Sequence, residues 1–496
     1  MINQKEKDLF EKAPILKAIL KLAIPSVIGQ LILVIYNLAD TFFIGLASQD
    51  PFFTGGSGSS LIAGVTVCMP IFMIISAISN LFGIGACSVM SRAMGGKNFD
   101  RAKNASRFAF YGCLVTSVVY CLLVLALLNP ITKLLAGNAG ADVQEYAKTY
   151  ILITVVGFGV PTALNTLFSH LFRAEGKSFH ASFGICLGGV LNVLLDYLFI
   201  FLAFPIKDAA MAAALATGIS NFVALVYYIV LYIRKRKESQ ISLKFKKSMF
   251  ADGVHKEVLV VGLPAFLMTL CENVSYFILD ANMAAVSATD AICTAALAGV
   301  GAAKKVNMAA HSIARGMTQG VLPLIGYNKA NGKRIRMKKI FYTSAGITTG
   351  IAVICLLINI FCATPLCNIF VHESDALKFA SIYLIIFSIG APFSAFAYSV
   401  ISFFQAVGKP WRSLILALLR KGILDIPLMY ILPYITALNY APAGEFIPGA
   451  SIVWATPISD IVCCVVAVIL FVVYIRRHAA KDKNIPDISI SALPNQ

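Results

Sequence analysis

Charge is scarce in this 496-residue chain: 13% of residues are charged, 58% are hydrophobic, and the mean hydropathy is +0.81. Soluble domains carry about a quarter charged residues, so a water-soluble globular fold is excluded. Period-two alternation is missing as well. The apolar runs continue for about 20 residues or more without it, which excludes a transmembrane barrel and leaves helices. The first residues, MINQKEKDLFEKAPILK, contain neither an apolar core nor a small-residue cleavage site. No cleavable signal peptide is therefore expected, and the first span itself is expected to serve as the targeting signal. The 12 cysteines fall almost entirely inside apolar spans, with no metal-ligand spacing to a nearby His or Cys, and adjacent Cys463 and Cys464 suit a disulfide poorly. They read as small core residues. A nucleophile–base pair, a metal cluster and a Gly-rich phosphate loop are also missing, so neither an enzyme nor a resident cofactor is expected. The chain lacks a filter-like re-entrant segment, which disfavours a channel.

What is present is a series of long apolar segments. Spans are expected at about 20–46, 60–90, 108–134, 147–171, 180–204, 209–233, 257–286, 291–326, 340–364, 378–405, 412–436 and 449–475. This makes an all-α integral membrane protein with twelve transmembrane helices and both termini on one side. Basic residues orient it: 32 Lys and Arg lie on the side of the N-terminus, against four (Lys133, Lys148, Lys207, Lys378) on the other. The positive-inside rule then places both termini in the cytoplasm, across the cell's inner (plasma) membrane. The net charge of +17 is thus a topology signal and calls for no nucleic acid; the partner is the lipid bilayer.

The chain also repeats itself. SLIAGV at 60–65 recurs as ALAGV at 296–300, MGGKNFDRAK at 94–103 as ANGKRIRMKK at 330–339, and FRAEGKSF at 172–179 as FQAVGKPW at 404–411, while Pro25 matches Pro264. The halves are therefore parallel six-helix repeats, two pseudo-symmetric lobes. The expected organisation is an N-lobe at 1–233, a cytoplasmic linker at 234–256, a C-lobe at 257–477 and a cytoplasmic tail at 478–496.

Ionisable groups inside the spans are few. Asp40 is the one carboxylate in the run Leu22 to Gly45. At mid-membrane it costs about 2.5–3.5 kcal/mol on insertion scales. It either dips into headgroups at a helix end or faces a water-filled cavity; the apolar residues that continue beyond it favour the cavity. Counted at about 1.5 Å per residue, Asp40, Asp196 and Thr217 lie roughly 10–12 Å below the outer surface. Asn192 shares a helix face with Asp196. These hard oxygen donors suit a small cation such as Na⁺, or a shared proton, because two like charges side by side favour keeping one proton. The alternative is that Asn192 and Thr217 merely bond helix to helix.

In the C-half, Glu272 and Asp280 share roughly one face of the seventh span, and Lys304 and Lys305 could neutralise them. Asp425, one turn past Lys421, suggests a local ion pair, and Asp460 lies deep in the twelfth span. His311 and Arg315 share a face and are expected to reach headgroups near the cytoplasmic end. Tyr36 and Phe158 could offer cation–π contacts to a cavity wall. By the repeat offset Asp40 aligns with Leu279, beside Asp280, so a carboxylate is kept on the seventh span, whereas Asn192 and Asp196 align with Leu424 and Leu428. The C-lobe thus has an incomplete ligand set, and the ion is expected mainly in the N-lobe, with Glu272 and Asp280 acting on substrate or gating.

The pattern Pro25-x14-Asp40-Thr41-x-Phe43-x-Gly45, the Ala-Met-Gly-Gly-Lys after the second span, the doubled plan and PLIGYNKANGK after the eighth resemble the MATE family of multidrug and toxin extruders, in its bacterial branches. The resemblance covers essentially the whole chain. It implies a monomeric antiporter exporting small cationic amphipathic compounds in exchange for Na⁺ or H⁺. It also places Asp40 at the family's essential aspartate, Asn192, Asp196 and Thr217 in its N-lobe polar cluster, and Glu272 at a seventh-helix glutamate. The tenth span, Ile382 to Phe404, departs from it in having no acidic residue. The alternative of the same architecture is a flippase for a lipid-linked saccharide. A pyrophosphate cavity would need several inward cations in the N-half, and spans one to six read as having none.

Overall fold

The computed structural model describes residues 4–48, 58–136, 140–202, 209–286, 290–440 and 446–482. Each of the twelve expected spans falls on a helix or on helices joined at a kink. The main segments are α1 (Ile15–Ala47), α2 (Met69–Gly95), α3 (Phe99–Ala126), α4 (Gly159–Ala174), α5 (Ser178–Tyr197) and α6 (Ala209–Lys235) in one lobe. The other lobe has α7 (Val254–Met283), α8 (Asp290–Ala330), α9 (Arg334–Phe361), α10 (Ser374–Ala406), α11 (Pro410–Leu418) and α12 (Ala455–Asp482). Residues 207 and 483–496, which include Lys207, Lys483 and most of the expected tail, lie outside the described residues.

Nine of these segments are long and apolar enough to cross a membrane among the described residues, or ten if a bent pair counts as one span. That pair is Ala141–Gly157 and α4, which meet at 51° about Phe158. Two spans fall short of that apolar length. One is α8, with Lys304, Lys305 and Arg315. The other is the eleventh, where α11 gives way to a wide π-helical turn, Leu419–Ile423, before Asp425–Ile431. Arg420, Lys421 and Asp425 of the eleventh span are buried inside the lobe, and Lys304 and Arg315 of α8 are each ion-paired, which is how such residues are tolerated at membrane depth.

The lobes meet along α1, α2, α7 and α8. Four glycines permit this, since a Cβ at Gly262 would run into the Leu81 carbonyl, one at Gly85 into Val258, one at Gly320 into Leu22 and one at Gly316 into Val27. All four contacts lie toward the side of the N-terminus, so the lobes are closed there. Polar contacts complete that seal. Arg92 and Arg101 both pair with Glu257 at 2.5 Å, and Ser88 donates to the Gln405 carbonyl at 2.5 Å. A short N-terminal helix, Gln4–Glu11, lies beneath: Phe10 stacks on Tyr327 at 4.8 Å, and Tyr327 donates to Glu11 at 2.7 Å. The stretch between α6 and α7 is tied to the N-lobe by buried Glu175, which accepts from Ser239 at 2.8 Å and from the Ile241 amide at 3.1 Å.

Candidate functional site

Between the lobes, on the far side of that seal, lies a cavity of about 260 Å³. Helical periodicity builds its walls. On α4, Thr162, Asn165, Thr166, Ser169, His170 and Arg173 recur at three- and four-residue steps, so one polar face looks inward. Gln30, Tyr36 and Asn37 do the same from α1, Thr269, Glu272 and Tyr276 from α7, and His311, Arg315 and Gln319 from α8.

Behind the N-lobe wall stand the predicted donors. Asp40 is 5% exposed, Asp196 0%, Asn192 1% and Thr217 5%. Gly189 lets α5 approach α1, because a Cβ there would reach within 2.5 Å of Ile32 Cγ2. Asn192 Nδ2 donates to Thr217 Oγ1 at 3.3 Å, so that helix-to-helix bond does form. It leaves four oxygens buried without a protein partner: Asp40 Oδ1, both carboxylate oxygens of Asp196, and Asn192 Oδ1. Asp40 and Asp196 are within electrostatic reach of each other, and neither is ion-paired among the described residues. Unsatisfied oxygens at such depth are costly unless something occupies them, and a desolvated Na⁺ or a proton is the ligand that hard oxygens fit. Asn192 and Tyr36 line the cavity, which links this cluster to it. Phe158 lies elsewhere: its ring packs where a Cβ on Gly218 would sit.

The C-lobe is built on the opposite principle, since its buried carboxylates, Glu272 in the cavity wall and Asp425 and Asp460 behind it, are matched by cations. Arg315 donates to Glu272 at 2.7 Å, and Tyr398 donates to the other Glu272 oxygen at 3.4 Å. Arg420 pairs with Asp460 at 2.6 Å, both 1% exposed, and its guanidinium lies 4.3 Å from the Tyr398 ring. Lys421 pairs with Asp425 at 2.8 Å, the local pair expected from their spacing, and Ser275, Thr456 and Ser459 also donate to Asp425. Asp460 Oδ2 reaches α10 at Gly390, so a carboxylate from α12 occupies the neighbourhood of Ile382 to Phe404, the stretch of α10 that has no acidic residue.

Several expectations need correction. Lys304 pairs with Asp280 as expected, but Glu272 is neutralised by Arg315, and Lys305 lies 5.7 Å from the Phe370 ring. Asp280, whose side chain is 43% exposed, lies outside the cavity lining. His311 and Arg315 do not reach headgroups. Both line the cavity: the buried His311 ring lies 3.2 Å from Asn307 and 3.4 Å from Ser394, and Arg315 turns to the Glu272 carboxylate of α7, a partner on another helix that hydropathy does not reveal. Arg173 sits within α4 and lines the cavity at 1% exposure, so spans one to six, read as having no inward cation, do place one inside. One cation still falls short of the several that a pyrophosphate needs. The stripe on α4 was readable in the sequence as polar residues at helical spacing, the signal that would have found Arg173 and His170.

A family model described as MatE matches residues 25–198 and 264–431. The chain is 28% identical over 475 residues to the multidrug export protein MepA of Staphylococcus saprophyticus, covering 96% of this chain and 97% of that one. It is similar in fold to a crystal structure of MATE in complex with MaL6, with a TM-score of 0.79, 22% identity, and coverage of 97% of this chain and 100% of that one. A multidrug resistance MATE family transporter of the MOP superfamily, solved in an outward-facing conformation, gives a TM-score of 0.80 at 21% identity, covering 95% of this chain and 98% of that one.

Proposed function

The chain belongs to the MatE family of transporters, and from that premise we propose that it is an antiporter that exports small organic cations by alternating access in exchange for inward Na⁺ or H⁺. The observation that carries this reading is the contrast between the lobes. The buried carboxylates Glu272, Asp425 and Asp460 of the C-lobe have cationic partners, while among the described residues Asp40 and Asp196 have none and keep three oxygens unsatisfied. A cation arriving at Asp40 and Asp196 neutralises the N-lobe and weakens its hold on a cationic substrate. By linkage, substrate weakens the ion to the same degree. The inward ion supplies about 2.3 kcal/mol per charge per 100 mV of membrane potential. Glu272, Tyr36 and the wall around them take the substrate, with Asp280 acting on gating at the outer rim. Both termini face the cytoplasm, the protein sits in the plasma membrane, and a single chain holds the whole cavity. In that orientation the lobes are closed on the cytoplasmic side.

The test is dye export from proteoliposomes under an imposed Na⁺ or pH gradient. Export that follows one gradient and stops when that gradient is collapsed is the expected result. Dye movement indifferent to both would overturn the coupling.

A further inference from the structure

Three lining residues of the cavity carry full charge: Arg173, Arg315 and Glu272. Glu272 is taken by Arg315. Arg173 is left over. Its Nε reaches Ser26 Oγ at 3.3 Å and its Nη1 reaches Ser169 Oγ at 3.3 Å, but its Nη2 is buried without a partner. The ionisable groups within electrostatic reach are the phenol of Tyr228, the thiol of Cys87 and the imidazole of His170; none is a carboxylate. His170 contacts Asn80 at 3.3 Å, so it is a polar neighbour and not a counter-ion. A guanidinium at 1% exposure with a free N–H and no anion is an unfavourable arrangement until an anion supplies the missing charge. Its planar donor fork fits a carboxylate.

Position supports this. Arg173 is at the inner end of α4 and Asn192 is five residues from the outer end of α5. At about 1.5 Å per residue their depths differ by roughly 20 Å. An acidic group at Arg173 is thereby kept away from Asp40 and Asp196, which would repel it.

We propose that Arg173 anchors an anion subsite at the inner end of the cavity, which receives the carboxylate of a zwitterionic organic substrate. The proposal rests on the export reading above and adds to it a second recognition point of opposite sign. Ser169 and Ser26 hold the guanidinium in place, and Nη2 donates to the incoming carboxylate.

The experiment compares rhodamine B, a cation with a free benzoate, with its ethyl ester, which keeps the cation and loses the acid. Binding and export of both dyes are measured in proteoliposomes containing the wild-type chain, Arg173→Gln or Arg173→Lys. A charge-assisted hydrogen bond to a buried partner predicts a preference for rhodamine B of about tenfold or more in the wild type. Arg173→Gln is expected to erase that preference with the ester unaffected, and Arg173→Lys to keep part of it. Equal loss of both dyes in Arg173→Gln, or an unchanged preference, overturns the subsite. If Arg173→Gln does not fold, the wild type alone decides, because equal affinity for the two dyes is incompatible with the proposal. Transport of the ester without preference for the acid sinks the subsite alone, whereas failure to move either dye sinks the export reading itself.

Discussion

Arg315 Nη2 lies 2.7 Å from Glu272 Oε2 in the cavity wall, and the carboxylate that sequence reasoning offered to substrate is thereby already engaged. A cationic substrate reaching Glu272 must displace or share it with Arg315. On the other side of the cavity Asp196 is fully buried, and neither of its carboxylate oxygens has a hydrogen-bond partner among the described residues. The two lobes have the same fold and different electrostatics, and the predictions turn on that difference.

Asp40→Asn and Asp196→Asn should each abolish ion-driven export at near-normal expression. Coupling energies between linked sites run to about 1–3 kcal/mol, or roughly 5–150-fold. If the two carboxylates hold one ion, the double variant loses little more than either single. Additive losses in a vesicle efflux assay would separate them into two sites.

Direct binding of ²²Na⁺, or proton release on adding substrate, should vanish in Asp196→Asn and persist in Glu272→Gln. Glu272→Gln should instead change substrate affinity, since it leaves Arg315 in the wall without its counter-charge. Retention in the first variant and loss in the second would move the ion to the C-lobe.

Asp460→Asn should destabilise the folded protein without touching the ion site. It leaves Arg420, whose Nη1 and Nη2 already have no partner, as an uncompensated buried cation. Breaking such a pair costs about 3–5 kcal/mol. The check is the unfolding midpoint in detergent. Joint replacement by Arg420→Met and Asp460→Leu should recover much of the loss; a midpoint unchanged by Asp460→Asn would refute the account.

Gly262→Ala should hinder closure of the lobes on the N-terminal side, because the added Cβ meets the backbone carbonyl of Leu81, which cannot rotate away. Overpacking of this kind costs about 1–3 kcal/mol. Spin labels on the inner ends of α2 and α8 should report a longer distance and transport should slow. Gly346→Ala, where nothing lies within 4 Å, serves as the control and should do neither.

The linear chain determined the spans, their pairing into two repeats and the four polar residues buried in the N-lobe, because these depend on local quantities: apolar length, the count of basic residues per loop, and residues one turn apart on a helix. It also disclosed Lys421 with Asp425, again one turn apart. What only the tertiary structure decided was which charge meets which. Glu272 and Arg315 are 43 residues apart and Arg420 and Asp460 are 40 apart, so no periodicity links them. Arg173 lies one turn from a basic loop, and hydropathy cannot distinguish a cation turned outward from one turned into a cavity. Apart from pairs one turn apart, a buried charge is stabilised or left wanting by groups that folding brings within about 4 Å, since Coulomb energy in a low-dielectric interior depends on that final distance.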